Sequence, residues 1–539
     1  MMWIRSFLRG WLIVAALIAP VHAIDAAELA PASILASLAS DDNSARNEAI
    51  GQLGLLGSPG GAEILAALAG GQLLVSGNTL LIKRGNQALD CATGETVSVP
   101  ADAQPVTLNN RLRRTLQVAQ ASSDLFSTNA PTRLAAAQRL QKEGDPARGP
   151  AIKRALDLEQ DPGIRQTLRI ALAATSIKSA DANERLSAAV LMGESLDAGF
   201  RPVLSAMLVQ GANGSPAEPD SRVRAAATMA IDKIDRHQSV VSWVGNIFYG
   251  VSLGSVLLLA ALGLAITFGL MGVINMAHGE LLMIGAYSTY VVQLLFKSMA
   301  PQWINWYVVV ALPVAFILTA LVGMALERTV IRWLYGRPLE TLLATWGISL
   351  CLMQAVRSLF GAQNVEVANP TWLTGGVTVL GNLVLAYNRI VIIGFALGVV
   401  AVVWLVLNFT RLGLFVRAIT QNRRMADCVG VATGRIDMLA FGLGSGIAGL
   451  AGVALSQLGN VGPDLGRAYI VDSFMVVVLG GVGQLAGTVV AALGLGALNK
   501  IIEPFWGAVI AKIVILLVIV LFVQKRPQGL FAPKGRSVE

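Results

Sequence analysis

The sequence predicts an all-α polytopic membrane protein with about eight or nine transmembrane helices, preceded by a mainly α-helical soluble domain with a small β insertion. Three observations lead to this prediction. Of the 539 residues, 54% are hydrophobic and only 14% are charged, whereas soluble domains carry about 25% charged residues. The second half contains apolar runs long enough to cross a bilayer. The first half has a repeated helical pattern instead.

The first residues are typical of a secretory signal peptide. Arg5 and Arg9 form a basic start, residues 11–19 are almost wholly apolar, and small residues precede Ala23. We therefore predict that residues 1–23 are a signal peptide cut after Ala23. The alternative is an uncleaved anchor helix, which the short apolar core disfavours.

Residues 24–236 form the predicted exported domain, and they repeat a helical pattern. The repeats begin at Arg46, Arg133, Arg185 and Arg222. Each has an arginine, an alanine-rich face and a break at Gly, Pro or Asp, and most continue into a second apolar helix. Paired helices at such periods predict a HEAT-like α-solenoid. Residues 71–99 alternate in polarity between turn residues, which predicts one or two β-hairpins. We expect a scaffold or docking role here.

Residues 237–530 are the predicted transmembrane domain. Asp, Glu, Lys and Arg are absent between Arg236 and Glu280, between Glu280 and Lys297, and between Lys297 and Glu327. With the residues that bound them, these gaps accommodate membrane-spanning helices of about 20 residues. Further apolar runs cover 341–356, 390–410, 438–460, 473–499 and 505–523. The glycine-rich run 473–499 is long, and it is either two short spans or a re-entrant pair.

Basic residues predict the orientation of these spans. They crowd three segments: Arg328, Arg332 and Arg337; then Arg411, Arg417, Arg423, Arg424 and Arg435; then Lys525, Arg526, Lys534 and Arg536. By the positive-inside rule these segments are cytoplasmic, and so is the tail 531–539. This placement agrees with an exported N-terminal domain in a bacterial inner-membrane protein. It also accounts for the net charge of +8 without invoking nucleic acid.

A group of polar residues interrupts the first apolar stretch. They are Asn275, His278 and Glu280, and the nearby Gly272 and Gly279 favour a break or turn between two spans. Two interpretations stay open: these side chains line or gate a route for a solute, or they hydrogen-bond a helix end and hold the packing. Other polar candidates in or beside spans are Thr345, Ser349, Gln354, Ser445 and Gln457.

Three stretches resemble one known family. They are GLAITFGLMGVINMAHGELLMIGAY, which ends at residue 287, and the stretches 413–455 and 474–496. They resemble the inner-membrane permeases of ABC importers for branched-chain amino acids and urea, and the likeness covers about 240–533. The long N-terminal region is similar to the extended form of the urea permease subunit. The resemblance implies urea translocation driven by ATP hydrolysed on separate subunits. The alternative substrate is a branched-chain amino acid or a short amide.

The same resemblance implies the partners. These are a second permease subunit, two cytoplasmic ABC ATPases, a periplasmic substrate-binding protein and the surrounding lipid. It also implies that a short helix over Arg417–Val429 is the segment that contacts the ATPase. Its candidate residues are Arg417, Asn422, Arg423, Arg424, Ala426 and Gly430. The alternative is a basic loop that only sets topology or binds anionic lipid.

Other functional classes find little support in the sequence. The Walker motif G-x-x-x-x-G-K-[ST] does not occur, so the chain is predicted to be a transport subunit rather than an enzyme. The three cysteines and three histidines lack a metal-binding spacing, and no cofactor is expected. The G-x-G-x-x-G match at 444–449 lies in an apolar span, where glycines favour close helix packing. An ion-coupled secondary transporter would need more charges inside its spans.

Overall fold

The computed structural model describes residues 30–85, 87–210, 216–381 and 383–531. The chain forms two compact units, Met1–Gln238 and Ser239–Glu539. The predicted signal peptide and all but the first residue of the predicted tail lie outside the described residues.

Short helices build most of the first unit. They are α1 (Ala32–Ala39), α2 (Asn43–Leu56), α3 (Pro59–Ala69), α4 (Asn110–Asp124), α5 (Ala130–Glu143), α6 (Gly149–Leu158), α7 (Pro162–Ser176), α8 (Ala182–Ser195) and α9 (Arg201–Leu208). Several begin at an aspartate: Asp42, Asp161 and Asp181 each accept a hydrogen bond from backbone N–H groups of the first turn. Such caps satisfy donors that have no partner within the helix. Alanines such as Ala137 and Ala189 are fully buried, so the helices pack closely.

The arginine at the fourth residue of α5, of α8 and of the helix that begins at Ser221 makes the same pair of contacts each time. In each case Nη1 donates to the backbone carbonyls five and six residues earlier: Arg133 to Thr128 and Ser127, Arg185 to Ala180 and Ser179, Arg224 to Pro219 and Glu218. The repeated geometry supports a solenoid of like units. The predicted repeat start at Arg222 is therefore wrong by two residues, since Arg222 pairs with Asp220 instead.

The β insertion is larger than the predicted hairpins. It contains β1 (Leu73–Ser76), β2 (Thr79–Arg84), β3 (Gln87–Asp90), β4 (Thr96–Ser98) and β5 (Gln104–Pro105). These strands form an antiparallel sheet in the order β4-β3-β2-β1-β5. Leu73, Leu80 and Ile82 are buried in one cluster with side chains of α1 to α4, so the sheet completes the core at that end of the unit.

Long helices build the second unit. They are α10 (Ser221–Met271), α11 (His278–Met299), α12 (Tyr307–Thr329), α13 (Pro338–Phe360), α14 (Tyr387–Phe409), α15 (Arg411–Gln421), α16 (Arg423–Cys428), α17 (Thr433–Ser456), α18 (Leu465–Gly480) and α19 (Leu485–Lys525). A hairpin of β6 (Gly376–Val379) and β7 (Leu383–Ala386) precedes α14. The boundary between the units falls within α10.

Seven of the described helices are long and apolar enough to cross a membrane, namely α10, α11, α12, α13, α14, α17 and α19. The predicted all-α polytopic class is confirmed. The count differs from eight or nine because α18 has only 16 residues and α19 runs through a break at Gly507, where φ is 79° and ψ is 164°. The glycine-rich run 473–499 resolves into two helices, α18 and the start of α19, joined by a short turn.

Glycines let the central helices of this unit approach closely. A Cβ built at Gly444 of α17 would lie 2.7 Å from the carbonyl oxygen of Gly263 in α10, and one at Gly279 of α11 would lie 2.6 Å from that of Gly466 in α18. Such contacts leave no room for a side chain. The packing role predicted for the glycines at 444–449 is confirmed. By contrast, α14 exposes Leu397, Val402 and Trp404.

Candidate functional site

The chain is not helical between α10 and α11, close to the polar residues Asn275, His278 and Glu280. Between the end of α10 and the start of α11, residues 272–277 are not helical, and Gly272 adopts a left-handed φ of 64°. Side chains satisfy backbone donors of this segment: Met276 N–H donates to Thr345 Oγ1 at 3.2 Å and Ala277 N–H to Asn275 Oδ1 at 3.0 Å. The predicted break is confirmed, and protein groups replace the missing helical hydrogen bonds, as apolar surroundings require.

His278 is the first residue of α11 and is completely buried. Its Nε2 lies 2.9 Å from the carbonyl oxygen of Ala260 in α10. A carbonyl only accepts, so Nε2 carries a proton, and in the neutral imidazole Nδ1 is then an acceptor. Nδ1 has no partner among the described residues. One side of the imidazole thus holds α11 to α10, and the other is available.

Glu280 points to a different neighbour, as its two-residue offset from His278 predicts. Its Oε1 accepts a hydrogen bond from Ser349 Oγ of α13 at 2.9 Å. Its Oε2 is buried and has no partner in the described part of the chain. Thr345, one helical turn before Ser349, donates to Thr341 O at 2.8 Å and accepts from the interrupted segment. The broken helix and α13 therefore share one buried polar site.

The structure gathers five of the predicted polar residues at this site, which we call the broken-helix site: Asn275, His278, Glu280, Thr345 and Ser349. Besides the atoms already described, Asn275 Nδ2 is buried without a partner among the described residues. Three residues close in sequence, Asn275, His278 and Glu280, thus each carry a buried polar atom without a partner among the described residues.

The other three predicted residues lie elsewhere. Gln354 is exposed on α13, and its place beside a solute route stays a prediction. Ser445 lies between α17 and α12, against Gly323, with its hydroxyl buried and unpartnered in the described part of the chain. Gln457 belongs to a second cluster, where its Oε1 lies 3.2 Å from the hydroxyl of Tyr307.

That second cluster centres on a loop carbonyl that the sequence did not reveal. The oxygen of Ala368 accepts hydrogen bonds from Gln293 Nε2 and from the Tyr307 hydroxyl, each at 2.8 Å. Asn388 Nδ2 donates to the carbonyl of Gln457 at 3.1 Å. Gln293, in an apolar span, was the available signal, but the loop carbonyl carries no side-chain pattern.

The predicted short helix over Arg417–Val429 is two helices. It divides at Asn422, whose extended backbone (φ −153°, ψ 99°) ends α15 and whose side chain caps α16 by accepting from Met425 N–H at 3.0 Å. Ala426 is buried against Ile419 and Ile436. Gly430 has a φ of 85°, where other residues are strained.

The three arginines of this segment differ in their surroundings. Arg417 donates to the carbonyl of Leu407, and Arg424 is exposed. Arg423 pairs with Asp437 near the start of α17, and its guanidinium lies 4.7 Å from the centre of the Tyr335 ring. Asp437 and Glu327 are fully buried carboxylates that the sequence did not single out. Only the folded chain shows that they face the interior.

A cavity of about 410 Å³ lies beside this segment. It is lined by Leu262, Ile266 and Gly269 of α10, by α14 and α15, and by residues 483–485. None of the residues of the broken-helix site lines it, so the two features are separate. Among the described residues, no group of three His, Cys, Asp or Glu side chains is placed to hold a metal ion.

Interrupted, polar and closely packed spans of this kind define a class: multi-pass membrane transport proteins with irregular backbone at membrane depth. The chain belongs to the family described as branched-chain amino acid transport system / permease component, whose model matches residues 246–523. The chain is thus an ABC importer permease of the branched-chain amino acid type. The prediction of a transport subunit rather than an enzyme is confirmed.

Several curated proteins are similar to it. The high-affinity branched-chain amino acid transport system permease protein BraD of Pseudomonas aeruginosa is 28% identical over 297 residues, covering 54% of this chain and 96% of BraD. LivH of Salmonella typhimurium, of the same description, is 28% identical over 291 residues, covering 53% and 94%. The ribose import permease protein RbsC of Escherichia coli is 29% identical over 130 residues, covering 22% and 40%. No solved structure matches significantly.

Proposed function

We propose that this permease carries urea across the bacterial inner membrane, with the broken-helix site on its route. The observation that carries the proposal is the set of buried polar atoms on Asn275, His278 and Glu280 that have no partner in the described part of the apolar unit. Urea is small and neutral, and it has several donors and acceptors. A route for it needs groups that replace water without binding tightly.

The membrane orientation follows from charge and is part of the proposal. The basic segments around α15, α16 and the end of α19 lie in the cytoplasm, and the first unit lies in the periplasm. In this arrangement the first unit docks a partner outside, and α15 and α16 contact an ATPase inside. The resemblance of the long N-terminal region to the extended urea permease subunit supports the choice of urea.

The proposed assembly contains a second, related permease, two cytoplasmic ATPases and a periplasmic binding protein. The sequence lacks a Walker motif, so other subunits must supply the energy of transport. The exposed apolar side chains of α14 face lipid or the second permease, since water would disfavour them.

The proposal is tested by uptake into proteoliposomes that contain the complete complex and its binding protein. We expect labelled urea to accumulate only when ATP reaches the ATPase subunits, and labelled leucine to be left outside. Uptake of leucine without urea would contradict the substrate. Uptake of urea that persists without the ATPase subunits would contradict the mechanism.

Branched-chain amino acids are the second candidate substrate. The observation in their favour is that BraD and LivH, which match this chain over nearly their whole length, are branched-chain amino acid transport system permeases. A zwitterion would need charged partners along the route, and Glu280 is the single acidic side chain of the broken-helix site. The same uptake assay separates the two candidates directly.

A further inference from the structure

Three segments meet at the side chain of Arg423. Arg423 is the first residue of α16, Asp437 lies in the second turn of α17, and Tyr335 lies between α12 and α13. The guanidinium forms an ion pair with Asp437 Oδ2 and stacks over the Tyr335 ring, 4.7 Å from its centre. The Tyr335 hydroxyl donates in turn to Glu327 Oε1 of α12 at 3.0 Å. We call these four residues the Arg423 cluster.

The charged side chains of the Arg423 cluster differ in how far they are buried. The side chains of Asp437 and Glu327 are completely buried, whereas that of Arg423 is 41% exposed. Arg423 therefore reaches inwards from the surface to a carboxylate that has no other ion-pair partner among the described residues. Asp437 Oδ1 and Glu327 Oε2 are buried without hydrogen-bond partners in the same part of the chain.

Tyr335 completes the connection to α12. Burial, together with the carboxylates of Asp437 and Glu327, raises the pKa of Tyr335 above its usual range. Its hydroxyl is therefore protonated and acts as the donor to Glu327. The ring offers its face to Arg423, an arrangement that a planar guanidinium suits better than an ammonium.

These contacts make separation of α16 from α12 and α17 costly. If Arg423 withdrew, Asp437 would be a buried charge without its counter-ion, which is strongly unfavourable. A displacement of α16 is thus passed to α17 through the ion pair and to α12 through Tyr335. Packed elements joined in this way move as a rigid body.

We propose that Arg423 is the positioning residue that transmits movement of α16 to the inner ends of α12 and α17. The proposal rests on the proposed function, in which α16 contacts an ATPase. It assigns the cluster a role that neither the broken-helix site nor the cavity beside α15 supplies. The α11 helix packs against both α12 and α17, which carries the movement towards Glu280.

The test measures solute uptake and ATP hydrolysis together, in proteoliposomes of the complete complex. The quantity compared is the number of solute molecules taken up per ATP hydrolysed. Arg423→Gln is expected to lower this ratio about tenfold while ATP hydrolysis continues. Arg435→Gln is the matched control, since it removes an exposed arginine from the same surface and is expected to leave the ratio unchanged.

A second variant separates transmission from folding. The double substitution Arg423→Gln with Asp437→Asn removes both charges, so no carboxylate at 437 is left unpaired and the complex is expected to assemble. If Arg423 transmits movement, the ratio stays low in this variant; a wild-type ratio would overturn the inference. Arg423→Lys keeps the charge and is expected to retain a higher ratio than the double variant, and a ratio no higher would also contradict it.

The same assay distinguishes failure of the proposed function from failure of the role proposed for Arg423. If the wild-type complex shows no ATP-dependent uptake, the proposed function fails. If the wild-type complex is coupled and the double variant is equally coupled, the proposed function stands and only the role of Arg423 fails.

Discussion

The two units treat buried carboxylates in opposite ways. In the first unit, Glu159 receives two hydrogen bonds from Arg133 (2.7 and 3.0 Å) and Glu218 receives two from Arg185 (2.8 and 2.7 Å). Both also accept from nearby backbone N–H groups. In the second unit, the described surroundings of three buried carboxylates each leave one oxygen without a partner: Glu280, Glu327 and Asp437.

The difference indicates what each interior does. A carboxylate with every oxygen occupied fixes a fold, because its partners hold one geometry. A buried polar group without a partner is costly and is expected where a solute passes or a conformation changes. The paired carboxylates of the first unit suit the scaffold role predicted for it. In the second unit, buried carboxylate oxygens remain that the described residues do not hydrogen-bond.

The largest expected effect concerns the paired carboxylate of Glu159 in the first unit. Glu159→Gln removes the counter-charge of Arg133 and should lower the local free energy of unfolding by about 3 kcal/mol. Hydrogen exchange of the full chain, followed by peptides from α5 and α6, is the measurement. Arg201→Gln breaks an exposed pair with Asp235 and is the control, for which little change is expected.

The next effect concerns how the second unit is held together. Its helices depend on close backbone approach, so Gly285→Ala, whose Cβ would overlap the backbone of Gly449 in α17, should cost about 1–3 kcal/mol. Thermal unfolding in detergent measures it. Gly394→Ala in α14 has no described atom within 4 Å of the new Cβ and should be neutral or slightly stabilising. Equal effects at the two glycines would contradict the packing account.

The third prediction concerns transport and the buried carboxylate of Glu280. Glu280→Gln keeps the acceptor for Ser349 but removes the charge of a side chain with an unpaired oxygen. Uptake should fall about tenfold, equivalent to about 1.4 kcal/mol, while the amount of assembled complex is unchanged. Cys351→Ala, an exposed position on the same helix as Ser349, is the control. A variant that assembles poorly but transports normally per molecule would assign Glu280 a purely structural role.

The smallest effect is a pH dependence confined to the first unit. The hydrogen bonds from Arg133 lower the pKa of Glu159 from 4.5 to about 2. A carboxyl whose pKa is lower in the folded state stabilises above its unfolded pKa, and the stability is lost as the pH falls towards the folded pKa. Exchange protection of α5 and α6 should be constant from pH 7 to pH 5. By pH 4 it should weaken by at most about 1 kcal/mol, and Glu159→Gln should abolish that change.

Sequence patterns found the architecture because each helix is encoded locally, by aspartate caps in the first unit and by apolar length in the second. They found the break at Gly272 for the same reason. Helical spacing also explains why Gln354 is separate from the buried polar residues of its helix: Thr345, Ser349 and Met353 are four apart and share the buried face of α13, and Gln354 lies off it. The position predicted for Arg222 failed because two arginines stand two residues apart in one turn.

Contacts between segments that are distant in the chain could not be predicted from sequence patterns. Glu280 meets Ser349 across 69 positions, and Arg423 meets Tyr335 only when α12, α16 and α17 are assembled. A single charge at the end of a span looks the same in the sequence whether it faces water or the interior. The Arg423 cluster therefore required the fold.

The central claim is that α16 faces the cytoplasm, where an ATPase can act on it, while the first unit faces the periplasm. Cys428 at the end of α16 is exposed, Cys91 is buried, and Cys351→Ala removes the other exposed thiol. In intact cells, a maleimide that cannot cross the inner membrane should leave Cys428 unmodified until that membrane is opened. A thiol introduced by Lys178→Cys in the first unit should react at once. Modification of Cys428 from outside would contradict the account.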